Sequence, residues 1–294
     1  MLHSSIPPAK KRSALREALR TESILQFPGA FTPLSARLIE RHGFQGAYIS
    51  GAVISAELGL PDIGLTTLTE VARRAGEISR VTDLPTLVDA DTGFGEPMNA
   101  ATTIQVLEDA GVSALHIEDQ VNPKRCGHFT GKAVIEMDEM MGKLRAAVDA
   151  KQDKDFVINA RTDALQPLGV NEAIRRGNAY AEAGANLIFV DGIETREEVR
   201  RVIAEIDAPV SINMVEGGRT PMFSFAELQE LGAARVSCPV TTILAAMKGV
   251  EDALTTLRDT GRLGSNPSGL AGFDEIKAQL DMAKFDALGA RFNR

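Results

Sequence analysis

The sequence has only two cysteines and no long apolar run. Cys126 and Cys238 are far apart in the 294 residues, so their spacing does not indicate a disulfide framework. The first 20 residues are polar and basic without an apolar core, so we predict no signal peptide. No apolar run approaches the roughly 20 residues that a membrane helix needs. We therefore expect a reduced, cytoplasmic protein that does not cross a membrane.

Positive charge is also scarce. The chain has 32 Lys and Arg against 40 Asp and Glu, which gives a net charge of -8 and a pI near 5.2. Nucleic-acid and anionic-membrane surfaces require clustered Lys and Arg, so neither partner is expected. With 44% hydrophobic and 24% charged residues, the composition is that of a soluble globular protein with a substantial core.

No stretch rich in Pro, Ser or charge divides the middle of the chain, so we predict one domain over residues 1–294. Residues 1–12 are expected to form a flexible tail. Residues 261–272 are rich in Gly, Ser, Asn and Pro, which predicts a linker, and residues 261–294 as a whole are read as linker plus a final helix over Asp274 to Leu288. That helix would pack on a neighbouring subunit or on its own barrel.

Short β-type runs alternate with longer helical patterns along the whole chain, which predicts βα units. The predicted strands are Leu25 to Phe27, Gly46 to Ser50, Thr86 to Asp89, Ala114 to Ile117, Phe156 to Ala160, Leu187 to Val190, Val210 to Asn213 and Arg235 to Cys238. The predicted helices are Pro33 to Arg41, Leu68 to Val81, Ala100 to Ala110, Met137 to Ala150, Val170 to Ala183, Arg196 to Glu205, Phe223 to Leu231 and Thr242 to Asp259.

Eight βα units favour an α/β fold, a (βα)8 TIM-type barrel. Strands covered on both faces are continuously apolar, as Leu187 to Val190 is. Eight right-handed crossovers close most readily into a barrel. The alternative is an open doubly wound sheet, but no G-x-G-x-x-G follows the first predicted strand, which weakens a dinucleotide-binding interpretation.

In a barrel, the C-terminal ends of the strands and the residues that follow them meet at one mouth. Carboxylates dominate the polar residues at these positions, which are Tyr48, Ser50, Asp89, Asp91, His116, Glu118, Arg161, Asp163, Asp191, Asn213 and Glu216. Asp89, Asp91 and Glu118 offer hard oxygen donors, and Mg²⁺ typically takes one or two carboxylates while it keeps waters and substrate oxygens. The Thr92–Gly95 turn would let the backbone approach a ligand closely. We therefore predict a divalent-metal site.

Cys126 is predicted to be a functional thiol. Lys124, Arg125 and His128 lie beside it in sequence, and nearby cations favour the thiolate and lower the pKa of a cysteine. The segment contains Gly127 and ends near Gly131, as expected of a loop that closes over substrate. Cys238, which ends an apolar strand without adjacent cations, is predicted to be a core residue.

Several motifs together resemble one enzyme superfamily. They are Tyr48-Ile-Ser-Gly51, Leu60-Pro-Asp-Ile-Gly64, Val88-Asp-Ala-Asp-Thr-Gly-Phe-Gly95, His116-Ile-Glu-Asp-Gln120, Pro123-Lys-Arg-Cys-Gly-His128 and Ala160-Arg-Thr-Asp163. From about Arg12 to Asp252 the chain resembles the isocitrate lyase and phosphoenolpyruvate mutase superfamily and, within it, the methylisocitrate lyases.

The resemblance implies a Mg²⁺-dependent lyase, with Mn²⁺ as a substitute, that splits 2-methylisocitrate into pyruvate and succinate by a retro-aldol reaction. Such an enzyme would serve propionate catabolism in the methylcitrate cycle and take a small di- or tricarboxylate as substrate. The resemblance also implies that the last barrel helix is exchanged between subunits in a homotetramer built as a dimer of dimers.

The resemblance assigns roles to individual positions. Cys126 would protonate the nascent succinate and Tyr48 would be the base for the substrate hydroxyl, in a catalytic group that also contains Lys124, His128 and Arg161. Asp89 and Asp91 would hold Mg²⁺, with Asp62 and Glu118 in its wider shell. The substrate-binding positions would be Ser50, Gly51, Ala52, Gly127, Arg161, Asp191, Asn213, Thr220 and Pro221.

Two departures from the family pattern concern the substrate. Asp191-Gly192 stands where methylisocitrate lyases have Glu-Ala, and Met214 to Pro221 replaces their Thr-Glu-Phe-Gly pattern. The sequence therefore also allows a sibling enzyme for dimethylmalate, another alkylmalate, oxaloacetate or a phosphonate, as in carboxyphosphonoenolpyruvate mutases. A non-catalytic diacid binder is the third alternative, but it has no need of an activated Cys126.

Overall fold

The computed structural model describes residues 4–21, 23–125, 131–263 and 269–292. Eight parallel strands form one sheet in the order β1-β8-β7-β6-β5-β4-β3-β2. A parallel bridge between Gly29 and Tyr48 links β1 to β2, where the Ala30 N–H donates a 2.7 Å hydrogen bond to the Tyr48 carbonyl. The sheet is thus a nearly closed barrel. The predicted α/β (βα)8 TIM-type fold is confirmed, and the alternative of an open doubly wound sheet is wrong. The strands are β1 Leu25–Pro28, β2 Ala47–Ile49, β3 Thr86–Asp89, β4 Ala114–Glu118, β5 Val157–Thr162, β6 Leu187–Val190, β7 Val210–Asn213 and β8 Arg235–Cys238.

Helices follow the strands around the outside of the barrel. They are α1 Pro8–Ala18, α2 Pro33–Arg41, α3 Gly51–Glu57, α4 Leu68–Ser79, α5 Pro97–Asp109, α6 Met137–Asp149, α7 Leu165–Leu168, α8 Val170–Glu182, α9 Arg196–Glu205, α10 Phe225–Glu230, α11 Thr241–Thr260, α12 Phe273–Gln279 and α13 Met282–Phe292. Over the described residues, no helix combines the length and the apolar character that crossing a membrane would require.

Local sequence explains where several of these helices begin. Helices α4, α9 and α10 start after Thr67, Thr195 and Ser224, each followed three residues later by a glutamate. In each case the hydroxyl accepts from the N3 backbone N–H and the glutamate accepts from the N-cap N–H, which is a capping box. The helices therefore start at fixed points and leave the loops before them, at the barrel mouth, with defined lengths.

The interior of the barrel at its N-terminal end consists of apolar side chains and one buried cation, Arg235, whose guanidinium lies over the rings of Phe27 and Tyr48. Phe27, Tyr48 and Leu87 belong to a buried cluster that also contains Leu15 and Leu19 of the α1 region. Each fully buried large apolar side chain contributes about 1.5–3 kcal/mol. The floor is therefore a packed core, and the opposite end remains open for polar groups.

Part of the segment predicted as a flexible tail, residues 1–12, is ordered. Helix α1 begins at Pro8, and Lys11 and Arg12 are buried. The Lys11 ammonium donates 2.8 Å hydrogen bonds to the carbonyls of Ser79 and Thr82, which satisfies a charge that the sequence alone places on the surface. The described part of this tail, residues 4–12, thus differs from the prediction.

The C-terminal region also differs in detail. Two helices, α12 and α13, replace the single helix predicted over Asp274 to Leu288. The break lies at Asp281, which adopts a left-handed φ of 55° and is 3.5 Å from the Arg37 guanidinium. Neither these helices nor α11 contains a buried residue among those described.

Candidate active site

A cavity of about 90 Å³ lies at the C-terminal ends of the strands. It gathers side chains from well-separated parts of the sequence, because every βα loop ends at the same mouth. The lining residues are Tyr48, Ser50, Ala52, Asp62, Asp89, Lys124, Arg161, Asp191, Asn213, Val215, Pro239 and Val240.

Three buried groups beside the cavity could hold a metal ion. Ligand atoms of Asp89, His116 and Glu118 all lie within 4.8 Å of one another. His116 Nε2 is 2.7 Å from Asp89 Oδ1. Burial alone would raise the pKa of Asp89, but His116 and the cations Lys124 and Arg161 outweigh it and hold that pKa well below its ordinary value. Asp89 is thus ionised at neutral pH.

The loop after β3 brings a second carboxylate to the first. Asp91 has a left-handed φ of 47°, and its backbone N–H donates a 3.0 Å hydrogen bond to Asp89 Oδ1. This conformation is uncommon for residues other than glycine and is tolerated best by Asp and Asn. Burial and the neighbouring Asp89 raise the pKa of Asp91 to about 6.

Lys124 neutralises part of this acidic group. Its ammonium forms ion pairs with Asp62 and, at 2.8 Å, with Asp91 Oδ1. Burial would lower the pKa of Lys124, but Asp91, Asp89 and Glu118 outweigh that effect and raise it above its ordinary value. Lys124 is therefore a fixed cation at the mouth rather than a base.

Arg161 is the guanidinium of the site. It contacts Asp163 at 2.8 and 3.0 Å, Asp191 at 3.0 Å and Glu118 at 3.1 Å. Lys132, whose side chain is fully buried, contacts Asp163 at 2.8 Å and Asp191 at 3.3 Å. Despite its burial, Asp163 has a pKa well below the ordinary value because Arg161 and Lys132 surround it. The network holds Arg161 in one orientation at the cavity wall.

Tyr48 lies at the base of the cavity with its hydroxyl 3.4 Å from His116 Nδ1. The two rings stack with their centroids 5.9 Å apart. Burial, reinforced by the negative charge of Asp89, raises the pKa of Tyr48 well above its ordinary value. The phenol is therefore protonated at neutral pH in the free protein.

The donor set fits a divalent cation. Six acidic side chains meet three cations here, so negative charge is in excess; the acids are Asp62, Asp89, Asp91, Glu118, Asp163 and Asp191, and the cations are Lys124, Lys132 and Arg161. Burial raises the pKa of Glu118 well above its ordinary value even beside Arg161. Carboxylate oxygens are ligands that Mg²⁺ prefers, and a bound divalent cation would offset this excess charge.

The structure brings most of the predicted site residues together. Gly51, Asp91 and Glu118 contact residues that line the cavity, and Tyr48, Ser50, Ala52, Asp62, Asp89, Lys124, Arg161, Asp191 and Asn213 line it themselves. Thr220 is buried, but neither it nor Pro221 belongs to the lining. Cys126, Gly127 and His128 lie outside the described residues.

Sequence reasoning missed the residues that support Arg161. The sequence places Asp163 after a strand and within the Ala160–Asp163 motif but assigns it no role, and Lys132 carries no signal beyond a lysine after Gly131. Asp119 was also missed: it is fully buried and accepts hydrogen bonds from Thr162 Oγ1 and the Asp163 backbone N–H, both at 2.8 Å. The adjacency of Glu118 and Asp119 at the end of a buried strand could have indicated that one of them faces away from the cavity.

Comparisons with known proteins show which family the chain is similar to. The family model described as phosphoenolpyruvate phosphomutase matches residues 15–258. Probable 2-methylisocitrate lyase 2 of Corynebacterium glutamicum is 51% identical over 89% of this chain and 85% of that protein. The 2,3-dimethylmalate lyase of Eubacterium barkeri is 41% identical over 92% of this chain and 94% of that protein.

A solved structure extends the likeness to the whole fold. Oxaloacetate acetylhydrolase, in complex with the inhibitor 3,3-difluorooxalacetate, matches with a TM-score of 0.90 and 32% identity over 97% of each chain. The resemblance drawn from the motifs is thereby confirmed. The chain belongs to the phosphoenolpyruvate phosphomutase family, within the isocitrate lyase and phosphoenolpyruvate mutase superfamily.

Proposed function

We propose that this protein is a metal-dependent carbon–carbon lyase that splits 2-methylisocitrate into pyruvate and succinate. The observation that carries the proposal is that Arg161, a cation able to bind a carboxylate, lies in the same cavity as the acids around Asp89. The 51% identity of the chain, over 89% of its length, to a probable 2-methylisocitrate lyase supports 2-methylisocitrate as the substrate. A small tricarboxylate suits Arg161 and Lys124, because both cations face the cavity.

The metal in this proposal is Mg²⁺, with Mn²⁺ as a substitute. Asp89 and Asp91 would hold it, with Asp62 and Glu118 in its wider shell. His116 contacts Asp89 and would orient that carboxylate. When bound, the cation would neutralise the substrate's α-hydroxy-carboxylate and stabilise the negative charge on the hydroxyl oxygen as that oxygen loses its proton.

The remaining chemistry belongs to side chains. Arg161 would bind a substrate carboxylate through its planar fork, assisted by Ser50, Gly51 and Ala52. A base, for which Tyr48 is our candidate, would take the hydroxyl proton as the C–C bond breaks and its electrons remain on the succinate carbon. Because the Tyr48 phenol is protonated in the free protein, it would first have to pass its own proton to an acceptor, and His116 Nδ1 lies 3.4 Å from its hydroxyl.

A proton must then reach the nascent succinate. Cys126 is our candidate donor through its Sγ–H, in a catalytic group with Lys124 and His128. Gly127 would bind substrate beside it, and Asn213, Thr220 and Pro221 would face the succinate portion. Of Cys126, Lys124 and His128, only Lys124 lies among the described residues, and it lines the cavity.

One observation favours a sibling substrate. Asp191 lines the cavity and contacts both Arg161 and Lys132, and its carboxylate is one methylene shorter than the glutamate typical of methylisocitrate lyases. The sequence near Asp191 and over residues 214–221 therefore differs from the pattern of the methylisocitrate lyases. Dimethylmalate, another alkylmalate, oxaloacetate or a phosphonate is the alternative substrate, and a relative at 41% identity is a 2,3-dimethylmalate lyase.

Turnover assays separate these alternatives. Purified protein with Mg²⁺ is given 2-methylisocitrate, and pyruvate release is followed through a coupled dehydrogenase, with dimethylmalate, isocitrate and oxaloacetate assayed in parallel for their own products. We expect fast pyruvate release that EDTA abolishes and that added Mg²⁺ or Mn²⁺ restores. No turnover of 2-methylisocitrate together with turnover of another acid would assign the sibling activity.

We also propose a cytoplasmic homotetramer, built as a dimer of dimers in which α11 is exchanged between subunits, that serves propionate catabolism. Helix α11 has 20 residues and none of them is buried. Its exposed apolar side chains are Leu244, Met247, Val250, Leu254 and Leu257. Their spacing of three and four residues forms a stripe that a partner subunit would cover.

A further inference from the structure

The side chain of Gln120 joins two parts of the barrel mouth. Its Nε2 donates 2.9 Å hydrogen bonds to Glu118 Oε1 and to the carbonyl of Arg125. Its Oε1 accepts a 3.0 Å hydrogen bond from the backbone N–H of Arg125. Both N–H groups and the oxygen of this amide are thus engaged, and the residue is 2% exposed.

The backbone that Gln120 holds carries Lys124. Lys124 precedes Arg125, and its ammonium reaches Asp62 and Asp91. The strand-like pairing of Val121 N–H with the Ala133 carbonyl at 2.8 Å fixes the same segment from its other side. A displacement of Arg125 would therefore move the Lys124 ammonium relative to the acids.

We propose that Gln120 is a positioning residue that ties the carboxylate of Glu118 to the backbone of Arg125 and thereby sets Lys124 against the metal-binding acids. An amide suits this position because it can donate to Glu118 and to the Arg125 carbonyl and at the same time accept from the Arg125 N–H. This inference rests on the proposed metal-dependent function of the site. It adds Gln120 to that function as a residue that acts through Glu118 and Lys124.

The test removes the amide and keeps the volume. Gln120→Met is close to isosteric and makes none of the three hydrogen bonds. On the purified full-length protein we would measure the Mn²⁺ dissociation constant by electron paramagnetic resonance, kcat and KM for 2-methylisocitrate, and the melting temperature. Residues that orient metal ligands typically change affinity or activity by about 10–100-fold. We expect Mn²⁺ affinity and kcat to fall by about tenfold or more, with a smaller change in KM.

Asn186 provides a matched control. Its Oδ1 accepts from the Ile158 N–H at 3.1 Å and its Nδ2 donates to the Gly184 carbonyl at 3.2 Å. This is the same kind of amide clamp at the N-terminal end of the barrel. Asn186→Leu should lower the melting temperature while Mn²⁺ affinity stays within about twofold of wild type. If Gln120→Met does not fold, Gln120→Asn replaces it, because this variant keeps the amide and shortens its reach. We then expect a smaller loss of Mn²⁺ affinity and kcat.

Two results with the variants would overturn the inference. One is Mn²⁺ affinity of the Gln120 variant within about twofold of wild type; the other is an equal loss of affinity in Asn186→Leu. A wild-type protein that binds no Mn²⁺ would overturn it as well. A wild-type protein that binds Mn²⁺ but turns over none of the acids contradicts the proposed lyase instead, and the Mn²⁺ comparison still decides the role of Gln120.

Discussion

The backbone N–H of Gly51 donates a 3.1 Å hydrogen bond to Oδ2 of Asp89, so the end of β2 and the end of β3 meet at one carboxylate. A Cβ atom at position 51 would lie 2.9 Å from that oxygen and 3.2 Å from Asp91 Oδ1. Glycine is therefore required here by close approach rather than by its φ angle. The main chain of the β2 loop helps to fix a candidate metal ligand.

Gly51→Ala should consequently impair metal binding more than folding. The added methyl group would push the carboxylates of Asp89 and Asp91 away, and displaced ligands bind metal about 10–100-fold more weakly. We expect a loss of this size in Mn²⁺ affinity and in kcat, measured by titration and by pyruvate release. Gly142→Ala is the control, because nothing lies within 4 Å of that position in α6. It should raise stability by about 1 kcal/mol and leave Mn²⁺ affinity unchanged; equal losses in both variants would contradict the steric argument.

The two cysteines should differ sharply in reactivity. Burial raises the pKa of Cys238 to about 11, so only about one thiol in a thousand is ionised at pH 8. We expect iodoacetamide to alkylate Cys126 quickly in the native protein and Cys238 slowly, as read by peptide mass spectrometry. Cys126→Ser should abolish turnover while substrate binding by calorimetry survives, and Cys238→Ser should keep kcat within about threefold. Full turnover in Cys126→Ser would remove that thiol from the mechanism.

Asp163 should make stability depend on pH in the acid range. Its folded-state pKa lies below the ordinary value because Arg161 and Lys132 surround it. A depressed carboxyl pKa stabilises the fold fully above the ordinary value of about 3.9, and that stabilisation is lost as the pH falls toward the folded-state pKa. Asp163→Asn leaves two buried cations with less counter-charge, so it should cost about 3–5 kcal/mol at pH 7.

Urea unfolding of both proteins between pH 7 and pH 3 checks this prediction. The stability gap between wild type and Asp163→Asn should be constant from pH 7 to about pH 5. It should then narrow by roughly 1 kcal/mol between pH 4 and pH 3, since each unit between the two pKa values is worth about 1.4 kcal/mol. A gap that widens in acid would mean that the pKa of Asp163 is raised rather than lowered.

Strong periodicity made the barrel predictable from sequence. The bounds of β6, β7 and β8 agree with the predicted strands, because apolar runs between turn residues mark both ends. Charge misled the prediction at α1, since the buried ammonium of Lys11 is satisfied only by carbonyls from distant loops. The short helix α3 was also missed, as its seven residues begin inside a site motif.

The candidate site was predictable where a residue faces the mouth directly. Asp89 is the last residue of β3 and Arg161 lies near the end of β5, so their position in the sequence places them at the cavity. Lys132 and Asp119 could not be found in this way, because their role depends on the tertiary pairing of loops with Asp163. Ion pairs between side chains distant in sequence leave no periodic signal. The residues that hold a site in place are therefore harder to predict than the residues that line it.

Helix α11 should form a subunit interface. Met247 and Leu254 are 56% and 60% exposed, and burying such side chains in a partner would stabilise the assembly by about 1.5–3 kcal/mol each. The double substitution Met247→Glu with Leu254→Glu should therefore dissociate the oligomer, as measured by light scattering after size exclusion. Thr256→Glu places one new charge on the opposite face of the helix and should leave the molar mass unchanged. A monomeric wild-type protein, or a double variant with the wild-type mass, would contradict the exchange of α11, because the stripe would then need no partner.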